Sequence, residues 1–392
     1  MTAQTRFYFD HNASAPLVPE ARAALVSALT AGNPSSVHRE GRGVRALVED
    51  AREAIAGLVH AAPDGVVFTS GASEAANAAL VPLWHRDGMP VAISRLAVLE
   101  TDHPCTQEGG RFEPAAITRL PVDRDGRLLP EALTRWLEAA GGQTSMLAIT
   151  LANNESGVIQ PIEPIRAALA GRDVVFVADA VQAAGRRPLD IAALGADAVI
   201  LSGHKIGAVM GVGALVLRDA AFAPLPLVRG GGQERRHRAG TEAVPAIASF
   251  AAAARLAARR SKGEIERLRS LRARLESALE ARGAVIIGSG AERLANTIFV
   301  TAPGLRAETA QIALDLKGFA VSAGSACASG KVASSPVLAA HARAGLPIDP
   351  SLGAVRISFG FETTEAEIDA MEAAIAPLIE RAAASQAVLH DA

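Results

Sequence analysis

Lys205, Asp179 and Cys327 are the residues of this 392-residue chain whose types and settings could do chemistry. Lys205 closes Ser202-Gly203-His204-Lys205, at the end of the apolar run 198–201. Asp179 ends a second apolar run, 174–178, and is followed by Gln182. Cys327 lies among small residues, Ala, Ser and Gly, in 322–330. An amine, an acid at a strand end and a loop thiol suit a carbonyl cofactor carried on the lysine, with a nucleophilic sulfur nearby.

Taken singly, each residue has a plainer reading. A lysine just after a strand is most often a solvated cap, and a free cysteine a small buried hydrophobe. The set is what points to pyridoxal phosphate. That cofactor needs a lysine amine for its aldehyde, an acid for its pyridine nitrogen and an anion site for its phosphate. Gly71-Ala72-Ser73-Glu74 opens a helix directly after a strand, so its N–H groups and dipole can bind phosphate. The hydroxyls of Ser73 and Ser202 can add donors. His103, in Thr101-Asp102-His103-Pro104, can stack on a ring. The second cysteine, Cys105, is expected to be a buried structural thiol with no role.

The elements that must position these groups follow from apolar periodicity. Short apolar runs at 65–70, 90–94, 146–151, 174–179, 197–202 and 213–217 read as strands. Helical segments at 72–84 and 130–140 lie between them. Alternation of this kind predicts an α/β fold, a mostly parallel sheet flanked by helices, with function gathered at the carboxyl ends of the strands. Beyond residue 245 the texture changes. Residues 246–282 read as a long helix broken near 261–263, followed by short strands at 296–300 and 354–359 and a terminal helix over 364–384. The expected division is a large domain, 14–245, and a smaller α+β domain formed by 1–13 and 246–392.

Composition excludes several classes. The 39 Lys+Arg against 41 Asp+Glu leave a formal charge of −2, which gives no reason to expect nucleic acid or an anionic membrane as partner. No apolar run approaches the roughly 20 residues of a membrane span, and no secretory signal is seen. Two cysteines give neither a disulfide framework nor a zinc site, so no metal is expected. A cytoplasmic bacterial-type protein is the simplest reading. The turn after the first strand is not Gly-x-Gly-x-x-Gly, which argues against a nicotinamide enzyme.

The ordered set of motifs resembles the cysteine desulfurases of the class-V aminotransferase family of pyridoxal-phosphate enzymes. It runs through Tyr8–Ala13, Gly32–His38, Phe68–Glu74, Asn153–Gly157, Asp179–Gln182, Ser202–Lys205, Gly230–Arg235, Arg238–Thr241 and the Cys327 segment. The resemblance implies that Lys205 carries the cofactor and moves protons. Asp179 would pair with the pyridine nitrogen, Gln182 and Asn154 with the ring oxygen side, and His103 would stack on the ring. Ala72, Ser73, Ser202 and His204 would hold the phosphate, with Thr241 reaching it from the second subunit of a homodimer. Arg356 would grip the carboxylate of L-cysteine, with Asn154 beside it. Cys327 would take the sulfur as a persulfide and pass it to an iron–sulphur scaffold or another sulfur-acceptor protein.

Some positions depart from the pattern. Ser73 stands where threonine is usual, 207–211 lacks a proline and a basic residue, and 333–335 lacks an acid. The tail 385–392 does not resemble a scaffold-docking tail. A selenocysteine lyase or another class-V aminotransferase is the alternative within the family, and a non-catalytic scaffold protein the alternative outside it. Retention of Lys205, Asp179, His103 and Cys327 together argues against the last.

Overall fold

The structure, a computed structural model, describes residues 6–323 and 335–390, with backbone alone for 385–390. Cys327 lies outside the described residues. The main sheet has seven strands in the order 66–69, 213–217, 198–202, 174–179, 145–150, 96–99, 117–120. Six of them point the same way, and 213–217 alone is reversed, antiparallel to both its neighbours. Strand side chains alternate between two apolar cores. Leu147, Ile149, Phe176, Val199 and Leu201 face one layer of helices; Met146, Ala148, Val175, Val177 and Ile200 face the other. Burial on both faces is why these strands read as unbroken apolar runs.

The strand expected at 90–94 is a correction. Residues 89–92 form a hairpin with 83–86, part of a separate three-stranded antiparallel sheet with 222–224. Asp87 and Gly88 both have positive φ, +51° and +80°, the turn that an Asp-Gly pair favours between antiparallel strands. The main-sheet strand is Leu96–Leu99, wholly buried. The helix expected over 72–84 likewise stops at Ala79, because Pro82 cannot continue it, and Trp84 is a buried strand residue.

A second sheet of four antiparallel strands, 285–286, 297–301, 355–358 and 322–323, packs beneath helices 262–280, 307–316 and 365–390. The N-terminus packs beside it: Phe7–Tyr8 pair with Phe319–Ala320 in a separate two-stranded sheet, and Phe9 enters the same core. The break near 261 is a capping box, with Ser261 and Glu264 each bonding the other's backbone N–H. The preceding helix, 244–258, packs its Val244, Ile247, Phe250 and Ala254 into the core of the large sheet.

Candidate active site

The carboxyl ends of the parallel strands, with the start of the reversed strand, open on a cavity of about 560 Å³. Each strand end contributes. After 66–69 come Ser70–Glu74; after 96–99, His103 and Cys105; after 145–150, Asn154; after 174–179, Val181 and Gln182; after 198–202, His204 and Lys205. Ser202, Asp179 and Arg356 complete the wall. The reversed strand fits here because its first residue has no side chain. A Cβ on Gly213 would lie 2.7 Å from the backbone of Gly71 and from the Leu201 carbonyl, so only glycine lets it approach the anion-binding turn.

Lys205 is one of four lysines in the chain, with Lys262, Lys317 and Lys331. Its Nζ donates to the carbonyls of Asn12 (2.7 Å) and Ala13 (2.8 Å). Asp179 is buried in the same cavity's lining and accepts from the Val181 N–H at 3.0 Å. Burial pushes its carboxyl up to about 6, against the lowering pull of that N–H and of the Lys205 charge. Asp102, also buried, accepts from the Leu99 and Thr150 N–H groups at 2.8 and 2.9 Å. Burial raises it to about 7, and neighbouring Asp179 adds to the rise. A buried carboxylate at a cavity wall is where a protonated ring nitrogen would be stabilised.

The N-terminus of helix 72–79 could hold a phosphate: its residues Ala72, Ser73 and Glu74 line the cavity. Glu74 does not face the anion unscreened: Arg238 Nε donates to it at 2.9 Å, and the Ser70 N–H at 2.8 Å. His204 is pushed down to about 4 by burial and by the charges of Lys205 and Arg186, so it can offer an N–H but no charge. These groups fit pyridoxal phosphate: an anion site, an amine and a buried acid around one cavity.

Arg356 comes from the second sheet. Its Nη2 donates to Asp10 (2.7 Å) and Ser322 (2.9 Å), its Nη1 to the Asn154 carbonyl (3.1 Å), and its buried Nε has no partner among the described residues. Gln182 donates to the Asn12 carbonyl at 2.9 Å and accepts from buried Arg186. Asn153 and Asn154 divide their work. Asn153 bonds Thr101, Glu155 and Ser156 and shapes the turn, whereas Asn154 lines the cavity. Thr241 is exposed and is not among the residues lining this chain's cavity.

Two residues have a part in the site that the sequence does not assign them. Asn12, almost fully buried, accepts from Lys205 and Gln182 and donates to Thr297 and the Asn154 carbonyl, so it ties both sheets to the site. It stands inside the Tyr8–Ala13 motif, but it acts partly through its carbonyl, which residue type does not reveal. Cys105 is the other. It is half-buried, lines the cavity and places Sγ 3.0 Å from His103 Nδ1, so it is not the buried structural thiol expected. Among the described residues, no group of three or more His, Cys, Asp or Glu could hold a metal, and no helix is long and apolar enough to cross a membrane.

Comparison with known proteins agrees with this geometry. Residues 7–371 match the aminotransferase class-V family. A cysteine desulfurase of Cereibacter sphaeroides is 37% identical over 387 residues, covering 96% of each chain. A NifS-like protein from Rickettsia africae superimposes with a TM-score of 0.83 at 29% identity, over 95% of this chain and 99% of that one. SspA, solved in complex with cysteine, gives a TM-score of 0.72 at 26% identity, over 91% and 99%. The chain belongs to the class-V aminotransferase family, among its cysteine desulfurases.

Proposed function

We propose that the protein is a pyridoxal-phosphate-dependent cysteine desulfurase that converts L-cysteine to L-alanine and moves the sulfur to Cys327. The observation that carries this is Lys205, set in one cavity with buried Asp179, His103 and the helix 72–79 N-terminus. The relatives named for cysteine desulfurase activity and the neighbour solved with cysteine support the same substrate.

Pyridoxal phosphate, when bound, supplies a carbonyl for the substrate amine and a ring that accepts electrons from Cα. The chain's own groups do the rest. Ala72, Ser73, Ser202 and His204 would hold the phosphate, joined by Thr241 of a second copy in a homodimer. Asp179 would keep a proton on the ring nitrogen, Gln182 and Asn154 would address the ring oxygen side, and His103 would cover the ring. Arg356, with its free Nε, takes the substrate carboxylate by a charge-assisted contact. Lys205 removes the Cα proton and returns it. Cys327, as thiolate, attacks the substrate sulfur; the C–S bond breaks as the S–S bond forms. The balance is L-cysteine plus a thiol giving L-alanine plus a persulfide.

The substrate-carboxylate side belongs to the smaller domain, which we place at 1–13 and from the end of helix 244–258 onward. The large domain from residue 14 carries the cofactor. An iron–sulphur scaffold or other sulfur-acceptor protein in the cytoplasm would receive the persulfide.

Incubation of the loaded protein with L-cysteine tests this reading. It should yield alanine, with one extra sulfur on the peptide carrying Cys327. Alanine without protein-bound sulfur would favour a lyase mechanism, and alanine only with a keto acid present would favour an aminotransferase.

A further inference from the structure

We propose that Cys105 is a positioning residue that fixes the His103 imidazole with its proton on Nε2. The proposal deepens the reading above, in which His103 lies over the cofactor ring. His103 caps the short helix 104–107, and Pro104 follows it without an N–H to offer. The next backbone N–H is that of Cys105, which donates to His103 Nδ1 at 3.2 Å. A backbone N–H can only donate, so Nδ1 is the acceptor and the neutral ring carries its proton on Nε2. The Cys105 Sγ sits 3.0 Å from the same nitrogen, where a thiol S–H adds a second donor to that lone pair.

Both donors favour the neutral ring over the imidazolium. Burial and the Lys205 charge act in the same direction and lower His103. Residue 105 thereby sets which nitrogen of His103 can donate in the cavity. A serine there keeps an O–H donor; an alanine keeps the backbone contact and loses the side-chain one.

The test uses the cofactor-loaded protein with Cys105→Ala and Cys105→Ser. It reads the ¹⁵N signals of His103 against pH, assigned by their loss in His103→Gln, and the pH profile of kcat/KM. Wild type should show the Nε2–H tautomer. Cys105→Ala should raise the His103 titration by about half to one pH unit, the worth of one lost hydrogen bond, and move the acid limb of kcat/KM by the same amount. Cys105→Ser should keep the wild-type titration. If Cys105→Ala does not fold, Cys105→Val fills the space without a donor and makes the same comparison. A proton on Nδ1 in wild type, or an unmoved titration in the donor-free variant, would overturn the proposal. The ¹⁵N readout needs no turnover. A shift seen in a protein that makes no alanine would uphold Cys105 and sink the desulfurase reading instead.

Discussion

The two sheets hold their shares of the site by different means. On the large sheet, Asp179 and Ser202 are the last residues of buried parallel strands, and Lys205 follows three residues later. Backbone groups hold both, Asp179 against the Val181 N–H and Lys205 against two carbonyls of the N-terminal loop, with the Thr106 side chain also against Asp179. On the small sheet, Arg356 sits inside strand 355–358 and is aimed mainly by side chains, Asp10 and Ser322, with one further contact to the Asn154 carbonyl. A group fixed by backbone tolerates changes around it but not its own replacement. A group fixed by a network should be detuned by its neighbours as well.

The largest effect should come from the backbone-held half. Lys205→Ala should lower alanine formation by about 10³-fold, since no other described lysine lines the cavity to move the Cα proton. Assay of alanine release checks this, and turnover within about tenfold of wild type would remove Lys205 from proton transfer. Asp179→Asn should retain cofactor while kcat falls about 10²-fold, because a neutral amide cannot hold the ring nitrogen protonated. Steady-state kinetics on the loaded variant should show the loss in kcat rather than KM.

The network-held half predicts a different signature. Arg356→Met should raise KM for cysteine about 10- to 100-fold, the worth of a charge-assisted hydrogen bond. Asp10→Asn should raise it by a smaller factor, about three- to tenfold, by loosening Arg356 without touching substrate. If Asp10→Asn matched Arg356→Met, Asp10 would be more than a positioning group; if it had no effect, the network would not aim Arg356.

What the sequence made legible follows the same divide. Strand ends on the large sheet could be read because both faces are buried, so 174–179 and 198–202 appear as apolar runs with a polar residue at the stop. Arg356 has no such signal; a strand arginine is ordinary, and the resemblance alone marked it out. Asn12 was passed over because part of its work is done by a carbonyl. Cys105 was read as structural because its contact with His103 depends on a turn that Pro104 imposes, and only coordinates show it. The reversed strand 213–217 was legible as a strand but not in direction, since apolar runs carry no sense along the chain.

The smallest expected effect separates the two buried acids. Asp102 and Asp179 lie near 7 and near 6 when folded, above the ordinary carboxylate value. Each takes up its proton on folding, so its contribution is complete below about pH 4 and is lost as pH rises through 6 to 7. The cofactor-free protein should therefore lose thermal stability between about pH 5 and pH 8, and Asp102→Asn should lessen that loss. Melting curves at the two pH values decide it; an equal loss in the variant would mean that Asp102 is already ionised in the fold.

Borohydride reduction of the yellow, cofactor-loaded protein, followed by peptide mapping, tests the central assignment most directly. Four lysines make the outcome unambiguous. The cofactor should be fixed to the peptide carrying Lys205, and Lys205→Ala should abolish the label. Label on Lys262, Lys317 or Lys331, or a label that survives in Lys205→Ala, would contradict it.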